Sequence, residues 1–176
     1  MRNNTKFTIK KIVLCGLMAA LIEACKVVMA PLPNIELTSF FVIMFTVYFG
    51  YPIFFIIPVF TAVEVLLFGF GPWVFMYLYV WPILAAVTLF FRKSDSSLTY
   101  ALLSALFGFA FGFLCSFTHM FISADGGAGS LSYALSWWVT GIPWDILHGV
   151  SNFIIMLVLY KPISHTLKHV DNWIKK

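Results

Sequence analysis

Residues 12–30, Ile12-Val-Leu-Cys-Gly16-Leu-Met-Ala-Ala20-Leu-Ile-Glu-Ala24-Cys-Lys-Val-Val-Met-Ala30, stay apolar for about five helical turns and are interrupted only by Glu23 and Lys26. A run of that length matches a membrane-crossing helix of about 20 residues. Arg2, Lys6, Lys10 and Lys11 precede it, a basic flank that a secretory signal also carries. The run is too long for the apolar region of a signal, and further apolar runs follow, so it reads as a first spanning helix.

Outward from this run, breakers divide the rest of the chain. Pro31-Leu-Pro33 ends the first stretch, Gly50-Tyr-Pro52 the second, and Gly69-Phe-Gly71-Pro72 separates the third from the fourth. Pro58 lies inside the third, and Pro72 suits a first helical turn, where a missing N–H costs nothing. Arg92 to Ser97 separates the fourth from the fifth, and Ala124-Asp-Gly-Gly-Ala-Gly-Ser130 reads as a loop before the sixth. The spans expected are roughly 8–30, 35–49, 53–68, 72–91, 98–122 and 136–160, with a cytoplasmic tail over 161–176. Gly141-Ile-Pro143 is expected to break the sixth stretch, so that its spanning part starts near 136 or near 143. In the tail, Ile163, Leu167, Val170 and Ile174 recur at helical spacing. They predict either a short amphipathic helix on the inner membrane surface or a frayed terminus.

Composition agrees with a membrane domain. Of the 176 residues, 61% are hydrophobic and 10% charged, against roughly 45–50% and 25% in a soluble domain. So few charges cannot cover a soluble surface, which excludes a soluble enzyme, and the apolar content excludes disorder and fibrous repeats. Cys15, Cys25 and Cys115 lie in apolar runs without CxxC spacing and are expected buried and reduced. With the N-terminus inside, ten of the eleven Lys and Arg residues fall in inner segments, the exception being Lys26 in the first span. The fold class expected is therefore an all-α integral membrane protein: a single bundle of six transmembrane helices with both termini cytoplasmic. The net charge of +4 follows from those inner segments and does not call for nucleic acid.

This topology places Glu23, Lys26, Glu64, His119, Asp145 and His148 in the outer half of the membrane. Ionisable groups at such depth are costly and face a bundle interior or a water-filled cavity, so their shared depth predicts one outward-open pocket. Glu23 and Lys26, three apart on one helix, can also simply satisfy each other. Trp73, Tyr77 and Trp81 recur every four residues as an aromatic stripe, and Asp145, His148 and Asn152 share one face of the sixth stretch. The stripe and the polar face can look at each other across a ligand, or they can form an interfacial belt and an interhelical hydrogen bond. Gly16, Ala20 and Ala24 form a small-residue ridge that allows close approach of another helix, from within the bundle or from a partner chain.

No phosphate-binding loop, HExxH or GxSxG occurs, so the chain has no nucleotide-hydrolysing machinery and no catalytic residue is assigned. His119 and His148 could touch a metal or haem iron, but a third ligand at suitable spacing is missing and no metal site is assigned.

The length, the ridge Gly16/Ala20/Ala24, and the blocks Leu32-Pro-Asn-Ile-Glu-Leu37, Tyr77-Leu-Tyr-Val-Trp-Pro82 and Gly141-Ile-Pro-Trp-Asp-Ile-Leu-His148 together resemble the substrate-binding S components of energy-coupling factor (ECF) transporters. The likeness covers nearly the whole chain, with a subgroup similar to cobalamin-binding S components. It implies a multi-pass subunit of a prokaryotic cell membrane that captures a vitamin on the outer face and releases it inward by toppling. Helix one would dock on a membrane T component, and two cytoplasmic ATPases would supply ATP hydrolysis, so this chain needs no cofactor of its own. The substrate-binding residues it implies are Asn34, Glu36, Trp73, Tyr77, Trp81, His119, Trp144, Asp145, His148 and Asn152; the depth argument adds Glu64. With no Arg and one Lys in the spans, a small carboxylate vitamin lacks a charge partner, while a large, mostly neutral ring system or a cation is accommodated. Cobalamin ranks first, followed by haem or flavin. Two other classes stay open: a membrane-embedded enzyme using Glu64, Asp145 and His148 as acid and base, and a purely structural subunit.

Overall fold

The computed structural model describes residues 9–175, with side chains through Ile174; Arg2, Lys6, Thr8 and Lys176, which entered the span and charge assignments, lie outside the described residues. The described residues form six helices: α1 (Ile9–Met29), α2 (Thr38–Phe49), α3 (Ile53–Phe68), α4 (Pro72–Phe91), α5 (Ser97–His119) and α6 (Leu131–Lys175). The extended pairing described is a single bridge, Ile122 with Ala128, inside the α5–α6 loop. The protein is an all-helical bundle embedded in a membrane. Four helices, α1, α4, α5 and α6, are long and apolar enough to cross a bilayer. The 12-residue α2 and 16-residue α3 are also apolar, but at about 1.5 Å per residue they reach only about 18 and 24 Å.

The boundaries of the first five helices fall within about three residues of those expected from the breakers. The sixth differs. Gly141-Ile-Pro143 does not break α6, and Pro162 does not end it: one 45-residue helix runs through both prolines. Each proline forfeits one backbone hydrogen bond, whereas a break in apolar surroundings would orphan several N–H and C=O groups at two new helix ends. At about 68 Å, α6 is more than twice as long as a hydrocarbon core is thick. The tail is thus neither a separate surface helix nor a frayed end. It continues the last helix, buries Ser164 and Leu167, and carries Trp173, whose ring lies 4.8 Å from Lys10 Nζ.

Helix α2 forms the centre, with every residue from Thr38 to Thr46 buried. A helix buried all round needs its ends satisfied from outside, and both are. At the N-terminus the Ser39 N–H donates to the Glu36 carboxylate at 2.9 and 3.1 Å. At the C-terminus Arg92 donates from Nε to Val47 O at 2.7 Å and from Nη2 to Tyr48 O at 3.0 Å. Gly50 turns the chain there with φ 71°, and a Cβ on it would lie 2.7 Å from Arg92 Nη1. The buried hydroxyls of Thr46, Thr61 and Thr88 return to the carbonyl four residues back, which satisfies them without water.

Helices α5 and α6 pack backbone against backbone. A Cβ on Gly108 would lie 2.7 Å from Gly149 Cα, so the two backbones touch where both helices carry glycine. Gly108-Phe-Ala-Phe-Gly112 is the small-residue spacing that permits this approach. The ridge Gly16, Ala20 and Ala24 behaves in the opposite way. All three are exposed, flanked by exposed Val13, Leu17, Leu21 and Val28, and a Cβ on Gly16 would meet nothing. That ridge does not pack within the bundle.

Candidate functional site

Tyr77 is the hub of the site. It lies one turn beyond Trp73 and one before Trp81 on α4, and the three rings form a continuous stripe with centroids 5.2 and 5.5 Å apart. On its other side Tyr77 stacks on Phe60 of α3 at 5.9 Å, and Trp81 meets Phe107 and Phe111 of α5, each at 5.7 Å. Three cavities share Tyr77 as a wall. The first, about 240 Å³, lies under the α1–α2 loop between Lys26, Asn34, Glu36, Trp81, Phe111 and His148. The second, about 380 Å³, is bounded by Asn34, Trp73, Phe111, Trp137, Trp144 and Asp145. The third, about 320 Å³, opens between α1, α3 and α4 beside Lys26, Glu64, Phe68 and Trp73.

Ionisable side chains stand at the walls of these cavities. Lys26 forms an ion pair with Glu64 and donates to the Tyr77 hydroxyl at 2.9 Å. Its ammonium also lies 5.0 Å from the Tyr77 ring centroid and 5.8 Å from that of Phe60. The pairing of Glu23 with Lys26 that the spacing allows is therefore not the one formed. Glu23 is 6% exposed, and neither carboxylate oxygen has a hydrogen-bond partner. His148, 3% exposed, places Nε2 3.0 Å from Glu36 Oε1 and its ring edge-on to Phe111 at 4.9 Å. Asp145 Oδ1 accepts the Gly112 N–H at 2.9 Å, while Oδ2 is buried without a partner. The missing side chain at Gly112 makes this fit possible, because a Cβ there would lie 2.7 Å from Oδ1.

Of the residues singled out from the sequence, Asn34, Glu36, Glu64, Trp73, Tyr77, Trp81, Trp144, Asp145 and His148 line these cavities. The stripe and the α6 face do look at each other. Asn152 and His119 do not line them. Asn152 sits between α5 and α6 with its amide 3.5 Å from Ser104 O. His119 holds the α5–α6 loop: its Nδ1 lies 2.9 Å from Ile122 O, and its ring packs on Trp137 at 4.6 Å and Tyr133 at 5.4 Å. In that loop Asp125 accepts from Ser123 Oγ and from the Gly127 N–H at 3.1 Å, and these bonds hold its carboxyl below the usual aspartate range.

Lys26, which the depth argument placed in the outer half, also stands in the walls, as do Phe111 and Trp137, whose spacing gave no sign of it. Lys26 was legible as a lone cation in an apolar run, but its partner lies 38 residues away on α3, beyond the reach of any local pattern. Phe111 and Trp137 are two among many aromatics. Cys115 lines the second cavity as a free thiol, Cys15 is buried and Cys25 half-buried. Among the described residues no three His, Cys, Asp or Glu side chains gather as a metal site. Glu64, Asp145 and His148 line three different cavities rather than one.

These features define a class: a membrane-embedded helical bundle with adjoining aromatic and acidic cavities at one end. Comparison with known protein families, with characterised proteins and with solved structures gives no match.

Proposed function

We propose that this chain is a substrate-binding membrane subunit of the S-component kind, which captures a ring-bearing micronutrient and hands it to a partner that hydrolyses ATP. The observation that carries the reading is the convergence on Tyr77 of three cavities walled by nine of the eleven residues that the resemblance and the depth argument select. Aromatic planes with a few fixed polar groups are what a small-molecule site needs for orientation and affinity. The exposed ridge Gly16/Ala20/Ala24 supports the second half of the reading. A flat strip on the outside of a bundle suits a membrane partner helix, here a T component working with two cytoplasmic ATPases.

The reading includes six crossings of a prokaryotic cell membrane with both termini inside. The 12-residue α2 then crosses the bundle sheathed in protein, its ends served by Glu36 and Arg92. In this reading the cavities open on the outer side, the first two beside the α1–α2 loop and the third between α1, α3 and α4. The second and third fall near the lower end of the roughly 300–1,000 Å³ usual for small-molecule sites, and the first lies just below it. A single fused ring system of flavin size suits one cavity. Cobalamin or haem exceeds each single cavity and requires them to join across the shared Tyr77 wall.

The test is co-expression of the chain with a T component and its two ATPases, followed by purification on the ATPase. The wild-type chain is expected in the complex, and Ala20→Leu with Ala24→Leu is expected to leave it while retaining ligand binding. Absence of the wild-type chain from the complex would contradict the proposal.

A further inference from the structure

The second cavity holds a carboxylate with no basic side chain in its walls. Its walls hold five aromatic rings, Trp73, Tyr77, Phe111, Trp137 and Trp144, one carboxylate, Asp145, and no Lys, Arg or His. The basic side chains nearest to it in the bundle are already engaged elsewhere: Lys26 with Glu64 and Tyr77, and His148 with Glu36. Asp145 is 7% exposed and uses one oxygen on the Gly112 N–H, while Oδ2 has no protein partner. A buried carboxylate oxygen left without a partner is costly, and a ligand that supplies the missing positive charge removes the cost. Aromatic faces around that carboxylate stabilise the same kind of ligand, since a cation over an aromatic ring is attracted by its quadrupole.

We infer that the cavity between Trp73, Trp144 and Asp145 binds an organic cation carried on a flat aromatic ring, with the positive charge directed at Asp145 Oδ2 and the ring held among the tryptophans. The inference rests on the carrier reading and narrows its ligand. A neutral ring without a hydrogen-bond donor would leave Oδ2 as it stands, a neutral donor would supply the bond but not the charge that the surrounding rings also favour, and an anionic ligand would meet a carboxylate with no cation in the walls. The half-exposed Trp144 stands at the rim, where it is placed to cover a bound ring.

The experiment uses the full chain in lipid nanodiscs, with calorimetric titration of N-methylquinolinium, of quinoline as its uncharged counterpart near neutral pH, and of riboflavin and cyanocobalamin as ring vitamins with no net molecular charge. N-methylquinolinium is expected to bind at least about tenfold more tightly than quinoline. Asp145→Asn, which keeps the Oδ1 acceptor for Gly112, is expected to erase that preference. Trp144→Leu, at a position that does not bear on folding of the core, is expected to weaken the cation with an unchanged helical circular dichroism spectrum, and it serves if Asp145→Asn does not fold. Equal affinity for quinoline and its N-methyl cation, or binding of riboflavin or cobalamin with none of the cation, would overturn the inference and leave the carrier reading standing. No binding of any of the four, nor of haem titrated alongside them, would overturn both.

Discussion

His148 Nε2 and Glu36 Oε1 lie 3.0 Å apart although 112 residues separate them. The pair ties the middle of α6 to the loop that covers the first cavity, and the same Glu36 carboxylate accepts the Ser39 N–H at the start of the central helix. One side chain thus serves as helix cap, as partner of a buried imidazole and as cavity wall.

Glu36→Ala should therefore cost more than an ordinary cap. Losing a cap removes about 1 kcal/mol, and leaving the imidazole without its partner adds about 1–3 kcal/mol. Thermal unfolding in detergent should show a clear loss of stability, and hydrogen exchange should rise over residues 30–40. Exchange confined to the termini would show that the loop is held by other means.

The Lys26–Glu64 pair calls for a double-mutant cycle. Lys26→Met leaves Glu64 beside an unpartnered Glu23, and breaking a buried pair on one side costs about 3 kcal/mol or more. Lys26→Met with Glu64→Met should recover most of that loss, because replacing both charges by apolar groups of similar size is close to neutral. Additive losses from the two single substitutions would show that they do not interact in the folded protein.

Two glycines predict opposite outcomes. Gly108→Leu drives a side chain into the Gly149 backbone and should cost at least about 3 kcal/mol or abolish folding. Gly16→Leu meets open space and should leave the melting temperature in detergent nearly unchanged. Size-exclusion profiles and melting curves of the two variants check both statements, and a destabilised Gly16→Leu would place that ridge inside an interface of the chain itself.

Membrane sidedness is read with single cysteines in a background lacking Cys15, Cys25 and Cys115. Ser94→Cys, between α4 and α5, and Gly127→Cys, between α5 and α6, should react with an impermeant maleimide from opposite sides. The first is expected to react from the cytoplasm and the second from outside. Labelling of both from one side would remove α5 as a crossing helix.

The helices were legible in the sequence wherever a local physical cause fixed their ends. Pro31-Leu-Pro33, Gly50-Tyr-Pro52 and Gly69-Phe-Gly71-Pro72 stop the chain by backbone sterics, and the helix ends fall beside them. Gly141-Ile-Pro143 misled because the same sterics were outweighed by the need to keep backbone groups paired away from water. For the site, the stripe Trp73/Tyr77/Trp81 and the Asp145/His148 face were visible as periodicity, since neighbours on one helix repeat every three or four residues. Lys26–Glu64 and His148–Glu36 join different helices, and periodicity within a helix is blind to such pairs. Asn152 shares the face of Asp145 and His148, yet it lies deeper, where α5 packs too closely on α6 to leave a cavity.

The central claim is that the space around Tyr77 holds a ligand, and equilibrium binding to the nanodisc-reconstituted chain tests it most directly. A panel of cobalamin, haem, riboflavin and N-methylquinolinium, titrated with tryptophan fluorescence and calorimetry, should include one member that saturates at about one per chain. Trp73→Leu should abolish that binding and Gly16→Leu should spare it. Failure of every member to bind, or binding indifferent to Trp73, would contradict the account.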